Sequence, residues 1–575
     1  MKRRRIYPWL IEISLTVLII SACQSSTPPV ENVSRIVQPR IISVTANQWE
    51  IPNYGMLELE ISLAANYDNP YDVRQVALEA VFTGPDGRGW QVPGFWDANK
   101  MWRVRFTPSL AGDWRYSLTV RDQAGISKPW EDKFKTITSE SHGWLQVGSW
   151  VNPAYSPYYL AYHDGAPFYG IGHCEAFDLM SIGFDETTGF ALFDQMAQAG
   201  ENMVVYWPVY SNPFFNNSYD RYSLPDLKVI DMVVQDAQKK GIFLVFTVWD
   251  HPELRDKPHP WGGGNWPYNN GFRLLGDVNS FFRDEEMWAW QENLYRYIIA
   301  RWGYSPAIGL WQTVSEINGT NAGSQTDTWH KRVNDYFVQN DPYRHPTTAS
   351  MSGDTDWPEG FKVMDIPQVH VYDFKTGPIG ASQQIARWTV HMWEAAAKPN
   401  FVGEFGTSGN QDYPELLHNA IWAGLASGAA ITPMEWNDGS QWARMTTDMM
   451  AHMTYFQQFV SDLPLVQLNP KPVEVASRDP KVRAWGMGGP DWGVVWVQDY
   501  SLEGKPIAEV RQNRKPATEA TLLISGLDVG DYLARPYDTW QGIYLSSYPV
   551  HCSEQECEFS LPDFTGDLAI KFSRD

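Results

Sequence analysis

The sequence predicts a (β/α)8 barrel that carries a β-sandwich domain on each side. The chain has 575 residues, which is too many for one hydrophobic core. Between 150 and 463, apolar strand-like runs alternate with amphipathic helical stretches, the pattern of a parallel α/β fold. Before and after that segment, short strands of alternating polarity are separated by turn-forming residues, which is typical of β-sandwiches.

The N-terminus has the layout of an export signal. Positive charges at 2–5 precede an apolar run at 13–20, and small residues lead to Cys23. The motif "IISAC" resembles a bacterial lipoprotein signal, which implies that 1–22 are removed and that Cys23 is lipidated. The mature protein is then expected to be exported and anchored to a membrane of the cell envelope by its lipid, with 23–40 as a polar linker. An ordinary secretory signal is the alternative.

Residues 41–140 are predicted to form the first sandwich. Strand-like alternation in "MLELEISLAAN" and "VRQVALEAVF" gives way to turn chemistry, such as Pro-Asp-Gly at 85–87. The segment lacks the 3.6-residue periodicity that a helix requires. Several short strands within about 100 residues are enough for a small sandwich.

Residues 150–463 are predicted to form the barrel. Amphipathic helices such as "DEEMWAWQENLYRYIIARWG" lie between most of the strand candidates. An open doubly wound sheet is the alternative, but no glycine-rich phosphate-binding motif follows the first strand. The eight strand candidates are 167–172, 202–208, 241–249, 308–317, 347–352, 365–373, 400–406 and 429–436.

Residues 466–575 return to short strands and are predicted to form the second sandwich. Cys552 and Cys557 lie five residues apart within it, and in an exported protein this spacing favours a local disulfide. Cys174 is left as a free thiol. No spacing indicates a zinc site, and we expect neither a metal nor an organic cofactor.

The composition narrows the class of ligand. With 45 Lys and Arg against 67 Asp and Glu, the net charge is -22, so the chain lacks the basic field that a nucleic-acid partner requires. It contains 28 Trp, 28 Tyr and 26 Phe, and tryptophan suits clefts that stack on the flat apolar faces of sugar rings. A carbohydrate is therefore the expected partner. The tryptophans of "WQVPGFW" and "YDTWQG" in the two sandwiches fit sugar binding and core packing equally well.

Two glutamates end strands that face each other across the predicted barrel mouth. In this fold, catalytic groups come from the C-terminal ends of the strands. Glu316 follows the fourth strand in "SEIN", and Glu404 lies in the apolar seventh strand, "VGEFG". A charge in so apolar a strand is costly unless it is used. Facing carboxylates suit glycoside cleavage, in which one protonates the leaving oxygen and the other attacks the anomeric carbon.

Other polar and aromatic residues end the neighbouring strands. Tyr372 can donate a hydrogen bond that holds a nucleophilic Glu404 ionised and aimed. His370 can orient substrate hydroxyls, and Trp436 offers a platform for a sugar ring. The remaining substrate-binding candidates at or near strand ends are His251, Ser315, Trp207 and His173.

These motifs resemble those of the clan A retaining glycoside hydrolases, most of all the cellulase-like family 5 enzymes. In that clan an acid/base glutamate ends strand four and a nucleophilic glutamate ends strand seven, often in "EFG". The resemblance covers the predicted barrel and implies Glu316 as the acid/base and Glu404 as the nucleophile. The family's binding positions are matched by His370 and Tyr372 in "HVY", Trp436 in "MEW" and the strand-three His251.

Two departures from the family pattern keep other functions open. Ser315 stands where the family has an asparagine, and "YWPVY" lacks the arginine that is common near the end of strand two. A non-catalytic carbohydrate-binding surface protein on a degenerate barrel is the first alternative. An inverting hydrolase is the second. The analogy names neither the sugar nor the linkage.

A long loop after the third strand adds to the predicted site. The segment 251–276 is rich in Gly, Trp and Asn, and a loop this long inside a compact domain is usually functional. Trp261, Trp266 and Tyr268 are expected to line one wall of the cleft. The glycines of the loop would let it move as a partial lid.

Overall fold

The computed structural model describes residues 37–175, 184–185, 187–208, 218–372, 374, 376–407, 414–437, 445–553 and 556–574. The predicted signal peptide, Cys23 and most of the predicted linker lie outside these residues. For Phe184 and Asn437 the backbone is described but the side chain is not.

Two sheets that share one core form the N-terminal region. Alternating burial along Leu57–Ala64 turns every second side chain inward, and the ring of Phe82 stacks on that of Phe106 from the facing sheet, with centroids 4.0 Å apart. One sheet contains, in spatial order, Arg40–Ala46, Leu57–Ala64, Trp102–Phe106 and Phe95–Trp96. The other contains Glu50–Pro52, Trp130–Ile137, Gly112–Asp122, Ala77–Thr83 and Gly89–Pro93, with Gly125–Ile126 paired to its side.

The central region is built on parallel strands. A six-stranded sheet contains, in spatial order, Thr347–Thr348, Ile308–Gln312, Phe243–Thr247, Met203–Tyr206, Gly172–Glu175 and Trp436–Asn437. A further parallel pair consists of Gln368–Tyr372 and Phe401–Gly406. Short antiparallel strands lie beside them: Leu145–Val147 with Leu160–Tyr162 and Pro167–Phe168, and Phe184–Asp185 with Gly189–Phe190.

Backbone contacts connect these strands in sequence order. A parallel bridge between Phe405 and Glu435 joins the seventh strand to the eighth, and the eighth pairs with the first. The amides of Asp365 and Ile366 donate to the carbonyl of Thr347, which joins the fifth strand to the approach to the sixth. Among the described strands the order does not reverse, as it would in a doubly wound sheet. The arrangement is consistent with a (β/α)8 barrel.

The first and eighth strands differ from their predicted extents. Pro167–Phe168 belongs to an antiparallel sheet, and the first barrel strand begins only at Gly172. In the eighth, Pro433 has no amide to donate, so the regular ladder is limited to Trp436–Asn437. The amides of the residues on either side of Pro433 still donate to strands one and seven.

Helices lie between the parallel strands along the chain. None of the helices in the described part of the chain is long and apolar enough to span a membrane. The longer helices are Ala191–Ala199, Leu224–Lys240, Glu285–Trp302, Thr326–Asn340, Gly377–Ala396, Pro414–Ala426 and Thr447–Val460. Shorter ones are Gly148–Val151, Trp266–Asn269, Val278–Phe281, Pro358–Val363, Leu465–Leu468 and Ile507–Asn513.

The C-terminal region is again made of strands. Cys552 and Cys557, at the facing ends of two neighbouring strands, form a disulfide, whereas Cys174 is buried and free. The larger sheet contains Lys471–Pro472, Val482–Gly488, Trp492–Asp499, Asp567–Arg574, Gly530–Asp538, Ile543–Tyr544 and Tyr548–Cys552. Smaller sheets contain Val475–Ser477, Thr521–Ser525 and Glu556–Ser560, and Pro516–Ala517 with Phe564–Thr565.

Buried carboxylates join both strand-rich regions to the barrel. Asp231, on a barrel helix, accepts hydrogen bonds from Arg105 of the N-terminal region at 2.9 Å and from Arg301 at 2.6 Å. Asp567, on a C-terminal strand, accepts from Nε2 of the barrel residue His418 at 2.9 Å. Each carboxylate compensates for its burial with several donors.

Tryptophans of both strand-rich regions lie at the same interfaces. Trp90 packs against Trp144 and Tyr343, with ring centroids 5.9 and 5.5 Å apart. Trp540 stacks on His418 with centroids 4.1 Å apart. The tryptophan motifs of the two sandwiches therefore brace the barrel in this structure.

Candidate active site

Glu316, His370 and Glu404 form one buried cluster at the C-terminal ends of barrel strands. His370 Nδ1 lies 2.9 Å from Glu316 Oε1 and 3.1 Å from Glu404 Oε2. Only 7% of the Glu316 side chain and 6% of the Glu404 side chain are exposed. One imidazole nitrogen thus bridges two carboxylates, and the three ligand atoms lie within 4.8 Å of one another. The structure brings together the two glutamates that the sequence places on facing strands.

Tyr372 completes this cluster on the Glu404 side. Its hydroxyl donates to Glu404 Oε2 at 2.6 Å. Tyr372 and His370 are two residues apart on one strand, so both side chains project from the same face. The sixth strand therefore supplies two side chains that converge on Glu404, of which the sequence predicted only the Tyr372 hydrogen bond.

The backbone at Glu316 is in a conformation that non-glycine residues rarely adopt. Its φ and ψ are 53° and 54°, in the left-handed region, which costs about 1–2 kcal/mol. Two bonds to Ser350, after the fifth strand, hold this turn: the Glu316 amide donates to Ser350 Oγ at 2.9 Å and the Ile317 amide to the Ser350 carbonyl at 3.0 Å. Strain held by neighbours in this way is common at functional sites.

The two charged partners shift each other's ionisation. Burial alone would lower the pKa of His370, but Glu404 and hydrogen bonding to Glu316 and Glu404 raise it to about 10. Burial raises the pKa of Glu404 above its ordinary value, against the opposing effects of His370 and Tyr372. At neutral pH the site therefore contains a cationic imidazole between carboxyl groups that are costly to ionise together.

His251 lies against the other oxygen of Glu316. Its Nδ1 is 3.6 Å from Glu316 Oε2 and 3.0 Å from Asp250 Oδ1, although neither contact has hydrogen-bond geometry. Burial would lower the pKa of His251, but Asp250 and Glu316 raise it. Glu316 and Asp250 therefore favour the protonated form of the His251 imidazole.

Trp436 and Trp207 make contact at the end of strand eight. Their rings pack edge to face with centroids 5.1 Å apart, and Trp207 is 1% exposed while Trp436 is only partly buried. Trp207 thus braces Trp436, whose remaining surface is available for a ring contact. Substrate binding by both residues stays a prediction.

His173 and Ser315 are buried, and their hydrogen bonds in the described part of the chain go to groups other than the two glutamates. His173 Nδ1 lies 2.5 Å from Glu201 Oε2, and Nε2 lies 3.0 Å from Glu175 Oε1, so both ring nitrogens already face protein carboxylates. The amide of Ser315 donates to the Trp249 carbonyl at 2.9 Å. The assignment of both residues to substrate binding stays a prediction.

The same cluster offers a possible ligand set for a metal. Glu316, His370 and Glu404 each present one ligand atom within 4.8 Å of the others. Carboxylate and imidazole are common ligands of divalent transition metals. A histidine whose pKa is about 10, however, carries protons on both Nδ1 and Nε2 at neutral pH and has no nitrogen free to bind a metal.

A cavity of about 690 Å³ lies away from this cluster, between the N-terminal region and the barrel. It is lined in part by Trp90, Trp150 and Arg344. Arg344 precedes the fifth strand, so the cavity is at the opposite end of the barrel from the glutamates. Its lining lacks a pair of facing acids.

Sequence reasoning missed two supporting residues. Ser350 lies where a strand was expected, and its bonds to the Glu316 turn are not visible in a linear pattern. Glu201 follows a helix end rather than a strand end, so no strand-end search would find it. Both act through residues that are close only in the folded chain.

Comparisons with known proteins agree with this architecture. Residues 50–121 match the family model "Domain of unknown function (DUF5060)", and no curated protein sequence matches the chain. A Bacteroides vulgatus crystal structure described as a candidate glycoside hydrolase superposes with a TM-score of 0.67 at 17% identity, covering 92% of this chain and 100% of its own. A structure named only as a glycoside hydrolase gives 0.52 at 14% identity, covering 77% and 99%.

A family 5 glycoside hydrolase from Bacteroides vulgatus is also similar, with a TM-score of 0.48 at 14% identity, over 75% of this chain and 94% of its own. At identities this low, likeness reports the fold, and chemistry has to be argued from the site. The first two structures therefore show that the chain shares its fold with solved proteins that are named as glycoside hydrolases.

Proposed function

We propose that the chain is a retaining glycoside hydrolase that cleaves O-glycosidic bonds of an oligo- or polysaccharide. Glu404 attacks the anomeric carbon while Glu316 gives its proton to the leaving oxygen, so the C–O glycosidic bond breaks as the Glu404 ester forms. Glu316 then takes a proton from water, whose oxygen attacks the same carbon and releases Glu404. The anomeric carbon is inverted twice, so the released sugar has the anomeric configuration of the substrate.

The observation that carries this proposal is the closeness of Glu316 and Glu404. Retaining enzymes place the two carboxyl groups about 5–5.5 Å apart, whereas inverting enzymes need about 6.5–9.5 Å to admit a water. Ligand oxygens of the two glutamates lie within 4.8 Å here, with His370 bridging them. This spacing favours the retaining mechanism over the inverting alternative.

The donors around Glu404 oppose, without fully offsetting, the burial that disfavours its ionised, nucleophilic form. A nucleophilic carboxylate has to be ionised, and burial disfavours that form. The cationic His370 and the Tyr372 hydroxyl at 2.6 Å both favour it. A protein that only binds carbohydrate has no need for such an arrangement, which weighs against the non-catalytic alternative.

The mechanism requires neither a metal nor an organic cofactor. Both proton transfers and the covalent step use carboxyl groups of the chain. We expect the rate of the purified protein to be unchanged after dialysis against EDTA. Activity that disappears with EDTA and returns with a divalent cation would instead assign the Glu316, His370 and Glu404 cluster to a metal.

The proposal is tested by release of reducing sugar from a panel of plant and microbial polysaccharides. Wild type is compared with Glu404→Ala and Glu316→Ala, and melting curves check that the variants fold. We expect activity on at least one glycan and its loss in both variants. Unchanged activity in either variant would place the chemistry elsewhere, and binding without turnover on every glycan would favour the carbohydrate-binding alternative.

We also propose that the enzyme is exported and anchored through a lipid on Cys23, with the domain limits 41–140, 150–463 and 466–575. The basis is the arrangement of charge, apolar run and small residues at the N-terminus. Expressed in a bacterial host, the wild type should enter the membrane fraction and Cys23→Ser should not. A wild-type N-terminal peptide that mass spectrometry finds without lipid would contradict this.

A further inference from the structure

The loop after strand three presents one tryptophan to solvent at a rigid tip. Trp261 is 44% exposed, and its ring lies against that of His259 with centroids 3.5 Å apart. The amide of His259 donates to the Gly262 carbonyl at 2.9 Å, and the amide of Gly262 donates back at 3.2 Å. Pro260 and Trp261 are thus the two residues of a closed hairpin turn, which restricts where the indole can lie.

Arg255 fastens this hairpin to the chain beyond Glu316. Its Nε donates to the Gly263 carbonyl at 2.5 Å and its Nη1 to the Gly319 carbonyl at 3.1 Å. Gly319 is three residues after Glu316, and its amide donates to the Glu316 carbonyl at 2.8 Å. The loop and the Glu316 turn are therefore one hydrogen-bonded assembly.

The hairpin tip also lies close to His251. Gly262 has a φ of 144°, and a Cβ built there would lie 2.9 Å from Arg255 Nη2 and 3.5 Å from His251 Nε2. His251 is in turn 3.6 Å from Glu316 Oε2. Only one imidazole ring therefore separates the backbone of the tip from the proposed acid.

The tip lies on a defined side of the glutamate pair. His370 approaches Glu316 Oε1 and connects it to Glu404, whereas His251 approaches Oε2. The described contacts of the hairpin with the site run through His251 and Arg255 to Glu316 and its turn, whereas Glu404 is connected to Glu316 through His370. Trp261 is therefore attached to the Glu316 side of the pair.

The other two loop aromatics do not share this position. Trp266 is 4% exposed and packs against Phe281 with ring centroids 5.6 Å apart, so it belongs to the core. Tyr268 is 72% exposed and has no ring contact in the described part of the chain. Burial therefore removes Trp266 from the expected cleft wall, whereas for Tyr268 the expectation stays a prediction.

We infer that Trp261 is the platform for a sugar ring on the leaving-group side of the scissile bond, so that the leaving group is itself a saccharide. This inference rests on the proposed function. The acid protonates the leaving oxygen, and whatever is attached to that oxygen extends past Glu316 away from the nucleophile. An exposed indole fixed at that place offers an apolar face to the ring that arrives there.

The test compares substrates with and without a leaving-group sugar. Wild type, Trp261→Ala, Trp261→Phe and Tyr268→Ala are assayed on β-1,4-linked hexaoses of glucose, mannose and xylose. The same proteins are assayed on the corresponding β-glycosyl fluorides, whose fluoride leaving group cannot contact Trp261. Tyr268 is the matched control, because it is an exposed aromatic residue of the same loop.

We expect Trp261→Ala to lower kcat/KM on the hexaose that is cleaved by about tenfold or more, chiefly through KM, and to change the rate on the fluoride less than about twofold. Trp261→Phe should recover most of the loss, and Tyr268→Ala should resemble wild type. Equal losses on hexaose and fluoride would mean that Trp261 only supports His251 and Glu316. No loss on either would also overturn the inference.

Failure of the proposed function would look different. In that case Glu404→Ala would hydrolyse the glycosyl fluoride at the wild-type rate, whatever Trp261 does. A wild-type chain that turns over none of these probes would contradict both the proposed function and the platform.

Discussion

Two buried clusters of histidine and carboxylate have opposite electrostatic designs. At the interface of the barrel with the C-terminal region, Asp567 accepts hydrogen bonds from His418 and Trp496, at 2.9 and 3.0 Å, and also from Thr539 and Trp540. At the barrel mouth, Glu404 is equally buried but accepts from His370 and Tyr372 while Glu316 lies close by.

The ionisation of the two acids reflects this difference. Burial alone would raise the pKa of Asp567, but His418 and hydrogen bonds from Thr539 and Trp496 lower it to about 2. The donors around Glu404 do not offset burial and the charge of Glu316, and its pKa remains raised. Where hydrogen-bond donors fully offset the cost of burying a carboxylate, as at Asp567, the carboxylate stabilises an interface. Where they offset it only in part, as at Glu404, the carboxylate is available for chemistry.

The largest expected effect separates activity from stability at Glu404. Glu404→Gln should lower kcat by about 10⁴-fold or more, because it removes the nucleophile, without which the proton transfer by Glu316 cannot lead to the covalent intermediate. Its free energy of unfolding should be unchanged or higher, since an expensive buried charge is lost. Steady-state kinetics and urea unfolding of the same preparation measure both. If Glu404→Gln instead lost much of its free energy of unfolding, Glu404 would stabilise the fold as Asp567 does, and the contrast between the two acids would be wrong.

The second prediction is the converse at Asp567. Asp567→Ala should lower the free energy of unfolding by about 3–5 kcal/mol, because it leaves several buried donors unpaired. Asp531→Ala, which removes a carboxylate that is 75% exposed in the same region, should change it by less than about 0.5 kcal/mol. Urea unfolding measures both variants, and equal values for the two would contradict the role given to Asp567.

The third prediction concerns acid. Because the folded pKa of Asp567 is about 2 and the ordinary value is 3.8, its ionised form stabilises the fold above about pH 4. That contribution, about 2 kcal/mol, is lost as the pH falls through 2. Between pH 5 and pH 2, the free energy of unfolding should therefore fall more steeply with decreasing pH for wild type than for Asp567→Asn. Parallel curves would mean that Asp567 is not held ionised.

The smallest effect is expected at Ser350. Ser350→Ala removes the acceptor of the Glu316 amide, and loosening the left-handed turn should lower kcat by about tenfold. The matched control is Ser427→Ala, a buried serine whose hydroxyl has no hydrogen-bond partner among the described residues. The pH–rate profile should shift in Ser350→Ala if the serine positions the acid. An equal loss in both variants would indicate a general effect on packing.

The order of barrel strands follows from the sequence because burial imposes a periodic pattern. The same pattern singles out Glu404, because it is the one charged residue in the apolar, fully buried strand Phe401–Gly406. The ends of the strands are harder to predict. The fifth strand was expected at 347–352, but only Thr347–Thr348 pair with a neighbouring strand. There the groups of Ser350 bind the Glu316 turn instead of continuing the ladder.

Contacts between distant parts of the chain were beyond sequence reasoning. His418 and Asp567 are 149 residues apart, and neither is in a motif. The bridging position of His370 also depends on three-dimensional closure, since the sequence indicates only that it shares a strand with Tyr372. The export signal, the domain limits and the roles of the site residues stay predictions.

The most direct test of the central claim is rescue by azide of the two glutamate variants, with the glycosyl fluoride that the wild type hydrolyses. In Glu316→Ala, azide should attack the glycosyl-enzyme and give a glycosyl azide with the configuration of the substrate. In Glu404→Ala, azide should displace fluoride directly and give the opposite configuration. Proton NMR distinguishes the two products, and the same configuration from both variants, or no azide adduct from either, would contradict the assigned roles.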